Sequence, residues 1–153
     1  MVWKPRVVVA SVIEQDNRYL MVEEDIRGQM LLNQPAGHLE YGESLLDATR
    51  RETLEETGYH YQPEALLGML LGHSADPGRV YLRFTFYGRL LEKADNYQLD
   101  PDITAVHWLT EDEIRNSPHM KPRNDLVLES INLYKRGVRL PLDCLHDLTL
   151  ELQ

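Results

Sequence analysis

Cysteine is almost missing from this chain: Cys144 is the only one among 153 residues. No intrachain disulfide can form, and a reducing, cytoplasmic compartment is the expectation. Cys144 itself reads as a small packing residue within 142–145. Basic residues are also scarce, 16 against 25 acidic ones, for a formal net charge of −9. That balance argues against a nucleic-acid backbone or an anionic membrane as partner. No apolar run is long enough for a signal peptide or a membrane span. The phosphate loop G-x4-G-K-S/T and the dinucleotide signature G-x-G-x-x-G are both absent, which removes P-loop kinases and dinucleotide-binding dehydrogenases. The six histidines show no H-x3-H spacing, so zinc is not expected.

What is present is ordinary for a packed globular chain: 42% hydrophobic and 27% charged residues, enough for one core. No repeat, low-complexity segment or linker divides it, so residues 1–153 read as a single domain in a monomer or small homo-oligomer. Residues 6–13 are β-branched and apolar, a strand buried on both faces. Asp16-Asn17 makes a turn into a partner strand at 19–23, and 30–33 is a short strand leading to Pro35. Further strands are expected at 66–72, 79–91 and Ile103–Leu109, with a turn at Asp76-Pro77-Gly78. Thr110 caps a short helix with an acidic first turn, and 125–136 is a longer amphipathic helix stopped by Gly137. The fold class is α/β, a mixed sheet between helices.

The densest chemistry lies between Gly37 and Tyr59, G-H-L-E-Y-G-E-S-L-L-D-A-T-R-R-E-T-L-E-E-T-G-Y. Ser44 is a good N-cap with Asp47 completing a capping-box pattern, and Gly58 stands where a helix should stop. On that helix Glu52, Glu55 and Glu56 share one arc, since positions i, i+3 and i+4 are neighbours. Like charges so placed destabilise a helix by ~0.2–0.5 kcal/mol per pair. A hard divalent cation converts that repulsion into attraction, because Mg²⁺ takes oxygen ligands. Leu45 and Ala48 continue the arc, which sets the carboxylates beside the core. Gly37 and Gly42 allow the preceding loop to fold tightly and aim a main-chain carbonyl at the same ion.

Gly37, Glu43, Arg51-Glu52, Glu55-Glu56 and Gly58 resemble the Nudix box, G-x5-E-x7-R-E-U-x-E-E-x-G-U, with U a bulky apolar residue. The box covers 37–59. Thr53 departs from it, standing where the family has an aliphatic residue, and Tyr59 fills the last U. The resemblance implies an α/β/α sandwich and a hydrolase of nucleoside diphosphates linked to another group, working with Mg²⁺ or Mn²⁺ and an attacking water. It implies Glu52 and Glu56 as metal ligands, with Glu55 beside them and the Gly37 carbonyl completing the set. It also implies that Arg51 orients a box glutamate. Glu43, just before the helix, braces the loop. Glu55 or Glu56 is the expected base. Asp102 is an outer ligand or a rival base, because relatives often carry an acid there; Asp100 and Asp95 are weaker versions of the same idea.

Lys4-Pro5, Val22-Glu23-Glu24, the stretch from Asn33 to Glu40, Leu82-Arg83-Phe84 and Glu129-Ser130-Ile131 extend the resemblance across residues 4–145. They look like the small bacterial Nudix phosphatases that act on hydroxymethylpyrimidine pyrophosphate, thiamine pyrophosphate and nucleoside di- or triphosphates, releasing orthophosphate. Alternatives are a pyrophosphatase of ADP-ribose, another nucleotide sugar or a dinucleoside polyphosphate, and, in another class, a non-catalytic nucleotide sensor. The expected partner is therefore a small phosphorylated molecule. Arg27, Arg83 and Arg123 are candidate phosphate ligands, since the guanidinium fork suits phosphate oxygens; Lys121 stands beside the last of them. Asn33-Gln34 serves either a base or a turn, and His38 reads as an exposed loop histidine.

Overall fold

The computed structural model describes residues 1–149. In chain order its strands are β1 (Arg6–Val12), β2 (Glu14–Gln15), β3 (Arg18–Ile26), β4 (Gln29–Asn33), β5 (Ala36–His38), β6 (Tyr59–His73), β7 (Val80–Lys93), β8 (Ile103–Leu109) and β9 (Lys121–Pro122). Helices α1 (Leu45–Thr57), α2 (Glu111–Asn116) and α3 (Asp125–Lys135) are followed by a 3-10 turn at Leu142–Cys144.

Two sheets form instead of one. The first is mixed, ordered β5-β1-β7-β6, with β1 and β7 parallel and the other pairs antiparallel. The second is built on β3, which pairs antiparallel with β2, β4 and β8, while β9 runs parallel to β4. The α/β sandwich stands. Alternation along β1 sends Val9 toward Ala48 of α1, and sends Val8 and Val12 toward Leu126, Val127 and Ile131 of α3. One helix therefore covers each face of the mixed sheet, as the unbroken apolar run in β1 requires.

The turn at Asp16-Asn17 has positive φ at both residues, 50° and 64°, the geometry that matches the twist of a two-residue hairpin. Strand β6 begins seven residues earlier than its apolar run suggests. Pro63 hides this portion, and it is tolerated because β6 is an edge strand whose register shifts between Pro63 and Ala65. The strand's outer side is closed at one point, where Leu66 and Leu140 exchange main-chain hydrogen bonds of 2.9 and 2.8 Å. Cys144 is exposed and not a packing residue: the 3-10 turn gives Leu142 and Leu145 to the α1 side of the core instead.

Helix α1 is bounded as its sequence requires. Ser44 Oγ accepts the Asp47 N–H at 3.0 Å, and Gly58, at φ 79°, donates its N–H to the Leu54 carbonyl at 2.8 Å. Only half of the capping box forms, because the Asp47 carboxylate pairs with Arg50 at 3.1 Å. Thr53, the departure from the box, is wholly buried and its hydroxyl donates to Ser11 Oγ of β1 at 3.4 Å. A matched hydroxyl thus removes the packing problem that the threonine raises. Gly58 holds a backbone conformation that side chains resist, so Gly58→Ala is expected to lower stability by about 1 kcal/mol, read from urea unfolding.

Candidate active site

A cleft of about 570 Å³ opens between α1, the ends of β3 and β4, strands β1, β5 and β7, and the start of α3. Its lining carries the carboxylates of Glu52 and Glu56 of α1, Glu24 of β3, and Asp100 and Asp102 from the loop before β8. It also carries the guanidiniums of Arg83, Arg123 and Arg27. Both signs of charge line one cavity.

Glu56 is 6% exposed and accepts the Ala36 N–H on Oε1 at 2.7 Å. Among the described residues it makes no ion pair, and burial pushes its carboxyl well above the usual range, with Glu24, Glu52 and Asp100 adding to the push. Glu52 is raised to about 7, again mainly by burial, although Arg51 pulls the other way. The Glu52 carboxylate lies directly on the α-carbon of Gly37: a β-carbon there would stand 2.1 Å from Glu52 Cδ. Gly37 is thus required by a close approach, at a position where β5 pairs with Val9.

Arg51 organises the acids. Its Nε and Nη2 donate to the two oxygens of Glu43 at 2.9 and 2.8 Å, Nη1 to Glu52 at 2.8 Å and Glu55 at 3.2 Å, and Nη2 to the His38 carbonyl at 3.0 Å. Its guanidinium therefore lies beside the acidic arc, which is less bare of positive charge than the helical wheel suggests. Glu43 in turn accepts the Glu40 N–H at 2.8 Å, bracing the loop. Glu55 lines a neighbouring recess with Tyr97, Asp100 and Pro101. Its carbonyl accepts the Asp100 N–H at 2.8 Å, fixing the loop that carries Asp100 and Asp102 to α1.

Arg83 is 2% exposed, and its Nη2 donates to Asn33 Oδ1 at 2.8 Å and Gln34 Oε1 at 3.1 Å. Gln34 is itself held by the Val127 carbonyl at 2.9 Å. Asn33-Gln34 does not serve a turn: it cradles an arginine from a strand 50 residues on, and Asn33 also lines the cleft. No carboxylate pairs with Arg83 among the described residues, and burial pushes it down to about 9, still cationic at neutral pH. Arg123 donates to Glu24 at 2.7 Å, and Arg27 stands at φ 54° in the β3–β4 turn. Lys121 lies in β9 and is absent from the cleft wall.

Glu24 and Tyr81 are cleft residues that the motif does not contain. Adjacent glutamates in a strand offered a signal for the first, because one of Glu23 and Glu24 had to point inward. The β3–β8 register slips between them, and Glu24 is the buried one. His38 belongs to a short strand and lines the cleft.

The acidic donors are all oxygens, which suits a hard divalent ion. As they stand, no three Asp, Glu, His or Cys side chains among the described residues are grouped at coordination spacing. Glu52 and Glu56 nonetheless share one cleft with excess negative charge and burial, the condition that a cation relieves.

Residues 3–130 match the family model of the NUDIX domain, and the chain belongs to that family as a Nudix phosphohydrolase, an enzyme of phosphoanhydride substrates. Among its relatives, Phosphatase NudJ of Escherichia coli is 39% identical over 145 residues, 95% of this chain and 93% of that protein. A NUDIX hydrolase from Nitrosomonas europaea superposes with a TM-score of 0.88 at 48% identity, covering 94% of this chain and 97% of the other. The NUDIX domain of Shewanella oneidensis NrtR, solved with ADP-ribose, shares the fold at a TM-score of 0.70 and 17% identity, over 89% and 90% of the two chains. No described helix is long and apolar enough to cross a membrane.

Two measurements probe this geometry. Gly37→Ala displaces only the tip of a flexible glutamate, so it is expected to keep stability within about 1 kcal/mol while cutting turnover more than about tenfold. The second concerns pH. The folded state holds the Glu52 proton more tightly than the unfolded chain, whose carboxyl titrates near 4.5. That contribution to stability is complete below pH 4.5 and lost as pH rises through about 7. In chelator, Glu52→Gln should therefore gain on the order of 2 kcal/mol relative to the native protein between pH 5 and 8, measured by paired thermal melts.

Proposed function

We propose that this Nudix enzyme is a Mg²⁺- or Mn²⁺-dependent phosphatase of nucleoside di- and triphosphates and of small pyrophosphates such as hydroxymethylpyrimidine and thiamine pyrophosphate, releasing orthophosphate. The observation that carries this reading is that buried carboxylates and a buried arginine, which makes no ion pair among the described residues, line one cleft. The 39% identity to a phosphatase supports removal of a terminal phosphate over division of a nucleotide sugar.

Glu52 and Glu56, with the Gly37 carbonyl, would hold the cation, and Glu55 would lend charge beside them. Bound there, a divalent ion lowers the pKa of water and shields phosphate oxygens. Arg51 keeps Glu52 seated on Gly37 through its 2.8 Å bond, and Glu43 fixes Arg51. Arg83 binds phosphate oxygens from the buried end, while Arg123 and Arg27 bind them from the open side. Water adds its oxygen to phosphorus, the anhydride bond breaks, and a carboxylate takes the proton. We assign the proton to Glu56 or Asp102 in preference to Glu55, a reading supported by the presence of the first two in the cleft lining.

A phosphate-release panel covering nucleotides, thiamine pyrophosphate and ADP-ribose tests the proposal. Orthophosphate should appear with Mg²⁺ and vanish with chelator, and Glu56→Gln should lower turnover about 100-fold or more. Exclusive formation of two monophosphates from ADP-ribose-like compounds overturns the substrate assignment.

A further inference from the structure

The cleft wall continues past its reactive end. Residues two apart on a strand share a face. On β7 that series runs outward from Arg83 to Tyr81 and on to Arg79 just before the strand; on β1 it runs from Val8 to Arg6. The pairings Val8↔His38 and Arg6↔Tyr81 join these positions into one strip across β5, β1 and β7. Val8, His38 and Tyr81 line the cleft, so Arg6 and Arg79 stand at its outer margin. Each two-residue step along β7 is about 7 Å, which sets Tyr81 one step and Arg79 two steps out from Arg83.

This corner is positive in an acidic protein. Arg6, Arg79 and Arg123 all stand close enough to His38 for their charges to reach it. The His38 and Tyr81 rings lie 6.1 Å apart at 56°, presenting their edges together. Arg79 is partly neutralised by Asp76 at 2.8 Å, and Glu40 at the rim leans toward Arg51 at 3.6 Å. Arg6 is exposed and forms no ion pair among the described residues, and its strand partner Tyr81 adds a phenol to the same strip.

The geometry points to an outer anion subsite, made by Arg6, His38, Tyr81 and Arg79, that receives the remote phosphates of a linear polyphosphate substrate. This rests on the reading that the reacting phosphate lies beside Glu52 and Glu56. His38 and Tyr81 lie within the cleft and Arg6 and Arg79 farther out, so each additional phosphate carries the chain's charge farther along the strip toward Arg6. Substrate length is thereby sensed outside the box.

The test compares kcat/KM for a nucleoside triphosphate and the diphosphate of the same base in the native enzyme, Arg6→Gln, Arg6→Lys and Arg89→Gln. Arg89 pairs with Glu64 on another part of β7 and serves as the control. Arg6→Gln should lower the triphosphate-to-diphosphate ratio about tenfold, through KM, and Arg6→Lys should restore part of it. Calorimetry in chelator should show inorganic tripolyphosphate losing affinity in Arg6→Gln more than pyrophosphate does. An unchanged ratio, or equal loss on both ligands, overturns the subsite. If the native enzyme hydrolyses neither nucleotide with Mg²⁺, the phosphatase reading fails, and the tripolyphosphate titration still decides the subsite on its own.

Discussion

One guanidinium holds the acidic half of this protein together. Arg51 touches Glu43 twice, Glu52, Glu55 and the His38 carbonyl. Without it, carboxylates at i, i+3 and i+4 would repel along α1, and the loop after β5 would keep only the packing of Leu39 and the Ser44 cap to tie it to the helix. Charge-assisted, bidentate bonds are the strong kind, and here they share one partly covered site. The Glu52 carboxylate is pressed onto Gly37 as a result, so a backbone position in β5 and a side chain of α1 are fixed relative to each other. The reactive geometry is inherited from that contact.

The buried arginine of the cleft uses a different device. Arg83 makes no ion pair among the described residues and is held by two neutral amides, which orient the fork without cancelling its charge. A buried charge is costly unless its hydrogen bonds are satisfied. Asn33 and Gln34 satisfy one nitrogen and leave the charge available to an anion. Arg123 follows the other strategy, resting on Glu24 at 2.7 Å. A net charge of −9 is therefore no obstacle to a phosphate substrate: the sign that matters is local, and it alternates across a few ångströms.

Local signals in the chain were readable. The caps at Ser44 and Gly58, the hairpin at Asp16-Asn17 and the apolar run of β1 all follow from neighbours in sequence, and each forms as expected. The acidic face of α1 was equally plain, because its spacing is that of a single helix. What stayed hidden depends on distance. Asn33-Gln34 meets Arg83 only through sheet pairing, Glu24 turns inward at a register slip, and Pro63 disguises the first half of β6. The three-residue β5 was masked as well, since Ala-Gly-His has no strand propensity and is paired only because β1 offers an edge.

The exchange between Leu66 and Leu140 has a further consequence. An edge strand displays unpaired amides that invite a foreign chain to add on. By crossing β6 at its middle, the segment around Leu140 blocks continuous zippering along all fifteen residues. Beyond that crossing, Met69 and Leu71 remain exposed on the same strand. A foreign strand docking beyond the crossing has only residues 67–73 to pair with, so one pair of amide contacts divides the open edge in two.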